Sequence, residues 1–300
     1  MDFHRLAEIG DVRQLANQLN STCDDDEIQW RHHLDHQDKD GKTLLHICAQ
    51  YGHVDCAEFL VSRGAEVNCL KRNEWTPVML ACAKTSPGHR AIVRFLVNEA
   101  GADVWLRNKD GWTCFHVACR SGNLDVVSFL LDKYPEIWDT RGNTGRTPLH
   151  SAAMAGHLEV VRRLLSTSSS SSGGGTANAA AVNAKDSSGT PPVFDALRGG
   201  HVDVARLLVS AGGDLDARDA LGQSVLHAAC QAGQVDSVAF LLREADVVGR
   251  GMLNAQTAKF RLTALHLAAK ERFPRVVGLL MDAGADDSVE DFRGRRPALV

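Results

Sequence analysis

Between Thr147 and Leu165, small, apolar and polar positions alternate in a way that predicts two short helices joined at a glycine. Pro148 follows a threonine and suits a first helical position, where its missing N–H would have had no intrahelical partner. Ala152 and Ala153 leave room for close packing, and Gly156 supplies the left-handed backbone that closes a helix. Beyond His157, the residues Val160, Val161, Leu164 and Leu165 fall at three- and four-residue spacing on one apolar face of a second helix.

The pattern recurs along the chain. Its opening slot reads Thr43-Leu44-Leu45-His46, Thr76-Pro77-Val78-Met79, Thr113-Cys114-Phe115-His116 and Thr147-Pro148-Leu149-His150, then Thr190-Pro191-Pro192-Val193, Ser224-Val225-Leu226-His227 and Thr263-Ala264-Leu265-His266. Successive starts lie about 33 residues apart or slightly more. The Thr-Pro-Leu-His-x-Ala motif at this period resembles the ankyrin repeat family. The resemblance implies an all-α repeat solenoid of helix-turn-helix units joined by β-hairpin loops, with an N-terminal cap repeat and about seven full repeats. Such an array is expected to be one elongated domain, because each repeat packs only on its neighbours.

Residues 1–37 read as a degenerate N-terminal capping repeat, carried by Leu6, Ile9, Val12, Leu15 and Leu19, and a polar connection from Ser21 to Gln37. The repeat array fills 38–290, with repeats opening near Asp38, Lys71, Lys109, Asn143, Ser187, Ala220 and Phe260. Lys84–Pro87 lengthens one inter-helix turn, and Asp246–Thr257 is a second small lengthening. Ser166–Ala181, a serine run followed by a glycine run, has too little apolar content to fold and is expected to be disordered. Residues 291–300 open a further repeat and stop, which reads as a truncated array.

Composition narrows the function classes. A net charge of −4 over 300 residues, with no clustered basic run, argues against nucleic acid as the partner. No apolar stretch approaches membrane-spanning length, and Met1–Arg5 leads into an amphipathic segment rather than a signal peptide. The sequon Asn20-Ser21-Thr22 is then a chance match. The eight cysteines form no C-x-x-C pair. Cys48, Cys82, Cys119 and Cys230 fall in or beside small buried slots, which suits a reducing compartment.

Thirteen histidines invite a catalytic reading that the repeat register largely removes. His46, His116, His150, His227 and His266 are the motif's own, and His53, His89, His157 and His201 open second helices. Both groups are expected to hydrogen-bond turns between neighbouring repeats. His32, His33 and His36, with Cys23 and Asp24–Glu27, offer metal donors, but their spacing matches no closed four-ligand pattern, so a solvated loop is expected. No nucleophile elbow, P-loop or H-E-x-x-H motif is present. The expectation is a monomeric, non-enzymatic protein-binding scaffold without cofactor or metal.

Binding is expected where the repeat leaves positions free: the hairpin tips and the residue just before each threonine, which faces the concave side. That residue is polar in Lys42, Arg146 and Gln223 but is Trp75 and Trp112 in two adjacent copies. Equivalent positions of stacked elements lie roughly 8–10 Å apart. The two indoles form either one concave aromatic pair, a side-chain type common at binding hot spots, or separate rings closing the core of their own hairpins. Around them Lys71, Arg72, Arg107, Lys109, Arg141 and Arg146 predict a basic rim suited to an acidic or mixed protein partner.

Off-consensus segments narrow the resemblance. Val67–Pro77, Asn108–His116, Gly200–Leu208 and Leu262–Glu271 resemble a subfamily of ankyrin-repeat co-regulators over roughly residues 38–300. That resemblance implies a cytoplasmic and nuclear protein that binds the catalytic domain of alanyl-tRNA synthetase and accepts misactivated serine on its own lysines, protecting translation fidelity. Of the acceptor lysines, only Lys109 aligns with a lysine here; the others fall at Arg72 and Asp139, and Lys71 is the neighbouring substitute. Asp110 beside Lys109 is expected to favour the charged, unreactive amine. A generic ankyrin adaptor, such as a substrate receptor of a ubiquitin ligase, stays open, because the fold hosts partners of many kinds.

Overall fold

A computed structural model describes residues 3–23, 27–168, 181–243 and 251–298. Contacts divide the chain into two compact units, residues 1–143 and 144–300. The described residues hold seventeen α-helices and two short 3-10 helices.

In the first unit, α1 (Phe3–Ile9) and α2 (Val12–Cys23) precede α3 (Glu27–Leu34). Three helix pairs follow: α4 (Leu44–Tyr51) with α5 (Val54–Ser62), α6 (Pro77–Cys82) with α7 (Pro87–Asn98), and α8 (Cys114–Ser121) with α9 (Leu124–Lys133). First helices stack on first helices, α1 on α4, α4 on α6 and α6 on α8, and second helices stack likewise from α2 through α5 and α7 to α9. The second unit repeats this scheme. Its pairs are α10 (Pro148–Ala155) with α11 (Leu158–Ser168), α12 (Pro192–Gly199) with α13 (Val202–Ser210), α14 (Val225–Gln231) with α15 (Val235–Arg243), and α16 (Ala264–Lys270) with α17 (Pro274–Asp282).

The motif is a set of caps and bolts. Thr43 caps α4 through its hydroxyl, and the His46 ring accepts the Thr43 N–H on Nδ1 at 3.2 Å. Nε2 must then carry the proton, which it donates to the Trp75 carbonyl of the next hairpin at 2.9 Å. His150, His227 and His266 do the same toward Thr190, Leu262 and Arg295, each at 3.1 Å. Burial therefore holds His46 down at about 4 and lowers His150 and His227. Second-helix histidines reach backward instead: His53 to the Glu8 carbonyl at 2.9 Å, His89 to Gln50 at 2.8 Å and His201 to Met154 at 3.2 Å.

Among the described residues, five hairpin tips are closed by an Asp or Asn. Asp38 Oδ1 accepts the N–H groups of Asp40 and Lys42, both at 2.8 Å, and Asn108, Asp186, Asp219 and Asp291 do the same in their own tips. From the Lys71–Glu74 tip onward, successive tips within a unit are joined by one backbone bond, such as Lys109 N–H to Asn73 C=O at 3.1 Å and Asn143 N–H to Asp110 C=O at 2.9 Å. The tip at Lys71–Glu74 lacks both the closing carboxylate and the glycine. Asn73 and Glu74 therefore take φ of 66° and 61°, a left-handed pair that strains non-glycine residues.

Two sequence expectations need correction. The stretch Ser21–Gln37 is not a polar loop throughout: α3 occupies Glu27–Leu34 and buries Trp30 and Leu34. Trp30 stands edge-on to Phe59 at 6.3 Å, with the Arg63 guanidinium 4.7 Å above its ring. Tertiary packing makes this helix, since its sequence carries almost no amphipathic signal. His32, on α3, and His36, just beyond it, stand 6.2 Å ring to ring.

The second correction concerns register. The helix cap in the fifth copy is Pro191, and α12 begins at Pro192, one residue later than the Thr190-Pro191 match suggests. Thr190 instead fills the position before the cap, where its carbonyl receives His150. Phe194, rather than Val193, takes the motif-histidine position. The expected insertion at Ser166–Ala181 lies largely outside the described residues, as does part of Asp246–Thr257.

Candidate functional site

Trp75 and Trp112 end adjacent hairpins of the first unit, and both indoles are half-buried. They line one cleft of about 560 Å³ together with Ala83, Asp110, Val117, Arg120 and Ser121. The rings share a cleft, and each also packs on its own surroundings. Trp112 stacks on His116 of its own repeat, with centroids 6.1 Å apart and planes 17° off parallel. Its other support is Gly142 of the next hairpin, where an added Cβ would lie 2.8 Å from the indole. Trp75 is fixed through its backbone, by the His46 bond and by an antiparallel bridge to Lys71.

A cation sits over each ring: Lys71 Nζ at 5.7 Å from the Trp75 centroid and the Arg120 guanidinium at 5.3 Å from that of Trp112. Such pairs hold the charge near a ring face. Burial, with help from Lys42, lowers the Lys71 ammonium from its ordinary range. Arg120 was not among the sequence candidates. Its signal was helical spacing, because Val117, Arg120 and Ser121 share the face of α8 that follows Trp112.

The expected basic rim divides. Arg72 and Lys109 are exposed at their hairpin tips. Arg107 is occupied in stapling two hairpins, donating to the Gly111 carbonyl at 3.1 Å and to the Arg141 carbonyl. Arg141 lies 3.9 Å from Asp139. Arg146 belongs to the second unit, where its side chain is 17% exposed and pairs with Asp186 at 3.3 Å and Asp195 at 2.6 Å. That arginine is a packing element of its own unit, so the cations at the first unit's cleft are Arg120 in its lining and Lys71 over the Trp75 ring.

The cleft offers two apolar ring surfaces and cationic edges, which suits an inserted apolar or aromatic side chain flanked by acidic ones. Among the described residues no group of three or more His, Cys, Asp or Glu is placed to hold a metal ion, and no helix is long and apolar enough to cross a membrane.

A family profile described as "Ankyrin repeats (3 copies)" matches residues 3–108, 88–172, 174–251 and 195–291. The chain is 32% identical over 145 residues to "Ankyrin repeat and KH domain-containing protein mask-1" of Caenorhabditis elegans, covering 47% of this chain and 5% of that protein. It is 35% identical over 101 residues to "Protein fem-1 homolog A-like" of Mus musculus, covering 34% of this chain and 14% of that one. Over 124 residues it is 31% identical to "B-cell lymphoma 3 protein homolog" of Mus musculus, covering 41% and 28% respectively. The chain thus spans only a small part of each of these relatives.

Proposed function

The chain belongs to the ankyrin repeat family, and we propose on that footing that the Trp75/Trp112 cleft is the partner-binding centre of a non-enzymatic protein-interaction scaffold. The observation that carries this reading is the pairing of two half-buried indoles in one cleft, each with a cation over its ring. Tryptophan and arginine dominate binding energy where they are packed but still accessible.

The finer proposal names the partner as the catalytic domain of alanyl-tRNA synthetase. It rests on the resemblance of Val67–Pro77 and Asn108–His116 to ankyrin repeat domain-containing protein 16. Under it, the exposed Lys109 accepts serine from seryl-adenylate. The neutral amine attacks the acyl carbonyl, an amide forms, and AMP and a proton leave. Lys71 is a second acceptor, supported by the burial that favours its neutral form.

The test is recovery of the synthetase on the immobilised chain, compared with W75A/W112A, followed by intact-mass measurement after incubation with serine, ATP and the synthetase. Loss of the synthetase in the double variant, and a serine adduct absent from K109A, are expected. Equal recovery by both chains removes the site. Capture without any adduct removes the acceptor role and leaves the scaffold. A generic adaptor is the reading that remains if the synthetase is not captured by either chain.

A further inference from the structure

A different surface lies in the second unit, at the tips of three consecutive hairpins. Leu221, Phe260 and Phe292 are exposed there by 49%, 40% and 46%. Their tips are joined by two backbone bonds of 3.1 Å, Ala258 N–H to Leu221 C=O and Phe292 N–H to Phe260 C=O. A single exposed apolar side chain is ordinary, whereas two rings in contact, with a third apolar side chain on the adjoining tip, are not. Other tips carry polar residues in these places, among them Lys39, Asp40, Lys109, Asp110, Ser187 and Ser188, so the repeat does not require them to be apolar.

The patch has a definite charge. Phe260 and Phe292 pack against each other with centroids 5.5 Å apart. Each carries a cation, Lys259 Nζ at 5.2 Å from Phe260 and the Arg293 guanidinium at 5.1 Å from Phe292. Arg218, Arg261, Arg295 and Arg296 are exposed nearby on the same hairpins. The acidic groups among them are committed to the turns. Asp219 accepts the Leu221 and Gln223 N–H groups. Asp291 is buried, closing its own tip and holding Arg295 at 2.7 Å. Glu290 approaches Arg296 at 3.9 Å. The outer surface is therefore an apolar strip in a basic surround.

We propose that the Leu221–Phe260–Phe292 strip docks an extended acidic peptide segment bearing aromatic or aliphatic side chains. Carboxylates complement the Lys259, Arg261 and Arg293 surround, and apolar side chains cover the rings. Two side chains on one face of an extended chain stand about 6.6 Å apart, close to the ring spacing of the patch. This surface is independent of the Trp75/Trp112 cleft, which lies in the other unit.

The probe is a fluorescein-labelled peptide of about ten residues that alternates glutamate with phenylalanine and leucine, titrated with the full chain and read by fluorescence anisotropy. Saturable binding is expected, weakening with added salt. F260A/F292A should lower affinity at least about tenfold with an unchanged melting temperature, since both rings are exposed. K259E/R293E should also weaken it, and W75A/W112A should leave it intact. Absence of saturable binding overturns the proposal, as does equal affinity in F260A/F292A, equal affinity for the same peptide with lysine in place of glutamate, or loss of binding in W75A/W112A. Sedimentation showing self-association that F260A/F292A abolishes also overturns it, by assigning the strip to a second copy of the chain.

Discussion

Asp195 occupies a first-helix position that is apolar or small in most other repeats, Ile47, Val117, Ser151, Ala228 and Leu267 among them. Its side chain is 0% exposed, with Oδ1 taking Arg146 at 2.6 Å and Arg198 at 2.7 Å, while Oδ2 is buried without a partner. Removing one member of a buried ion pair costs about 3–5 kcal/mol when the other is stranded. Here Arg146 keeps Asp186 at 3.3 Å and Arg198 is half-exposed, and loss of the orphaned Oδ2 returns about 1–3 kcal/mol. The Asp195→Ala change should therefore destabilise by about 2 kcal/mol, or roughly 4–8 °C in melting temperature for a unit of this size. Arg146→Met combined with Asp195→Ala removes the charge as well as its partner, and should regain at least about half of the loss. The assay is urea and thermal unfolding of wild type, both single variants and the double variant, followed by circular dichroism, with midpoints compared at constant slope. A wild-type midpoint for Asp195→Ala would refute the reasoning, and so would a double variant no better than the sum of its singles.

Further outcomes follow from the same geometry. Glu74→Gly should stabilise by about 0.5–1 kcal/mol, because glycine relieves the φ of 61° in the Lys71–Glu74 tip; a lower unfolding midpoint would count against strain there. His46 is held at about 4 in the folded chain against 6.5, so the unfolded chain binds the proton first. Its contribution, about 3 kcal/mol, is complete above pH 6.5 and is lost as pH falls toward 4. A His46→Gln chain should lose less stability over that window, and parallel pH profiles would contradict the assignment. Hydrogen bonds with Cys56 and Cys114, and burial after them, raise the thiols of Cys48 and Cys82, while burial raises Cys119 and Cys230 and lifts Cys69 to about 11. Ellman's reagent should leave these five unmodified in the native chain and label them in urea, with rapid native labelling as the contrary result. Gly142→Ala should shift the tryptophan emission, because its Cβ displaces the Trp112 indole; an unchanged spectrum would show that the ring is not seated there.

Repeat number, helix order and the buried motif histidines were legible in the sequence because each depends on residues close together in the chain. A threonine cap, a histidine three residues on and a left-handed glycine specify one helix-turn-helix unit by local geometry alone. Copies at a fixed period then specify the stacking. The same logic failed where local signals misled. Thr190-Pro191 imitated the motif, but Gly189 and the Asp186 turn place the cap one residue later. The helix at Glu27–Leu34 forms because Trp30 and Leu34 find a cavity to fill, which nothing between Ser21 and Gln37 announces.

For the candidate site, the sequence determined which side chains depart from the repeat: Trp75 and Trp112, and a set of cations near the hairpin tips. Only the tertiary structure decided what each does, because a long basic side chain goes to whatever carboxylate, carbonyl or ring the neighbouring repeat presents. Arg107 met two carbonyls, Arg146 met Asp186 and Asp195, and Arg120, unremarked in the sequence, met the face of Trp112. Caps and turns lie within a few residues of the groups they bond and can be read in order along the chain. The partners of Arg146 lie 40 and 49 residues away, and only folding brings them within reach.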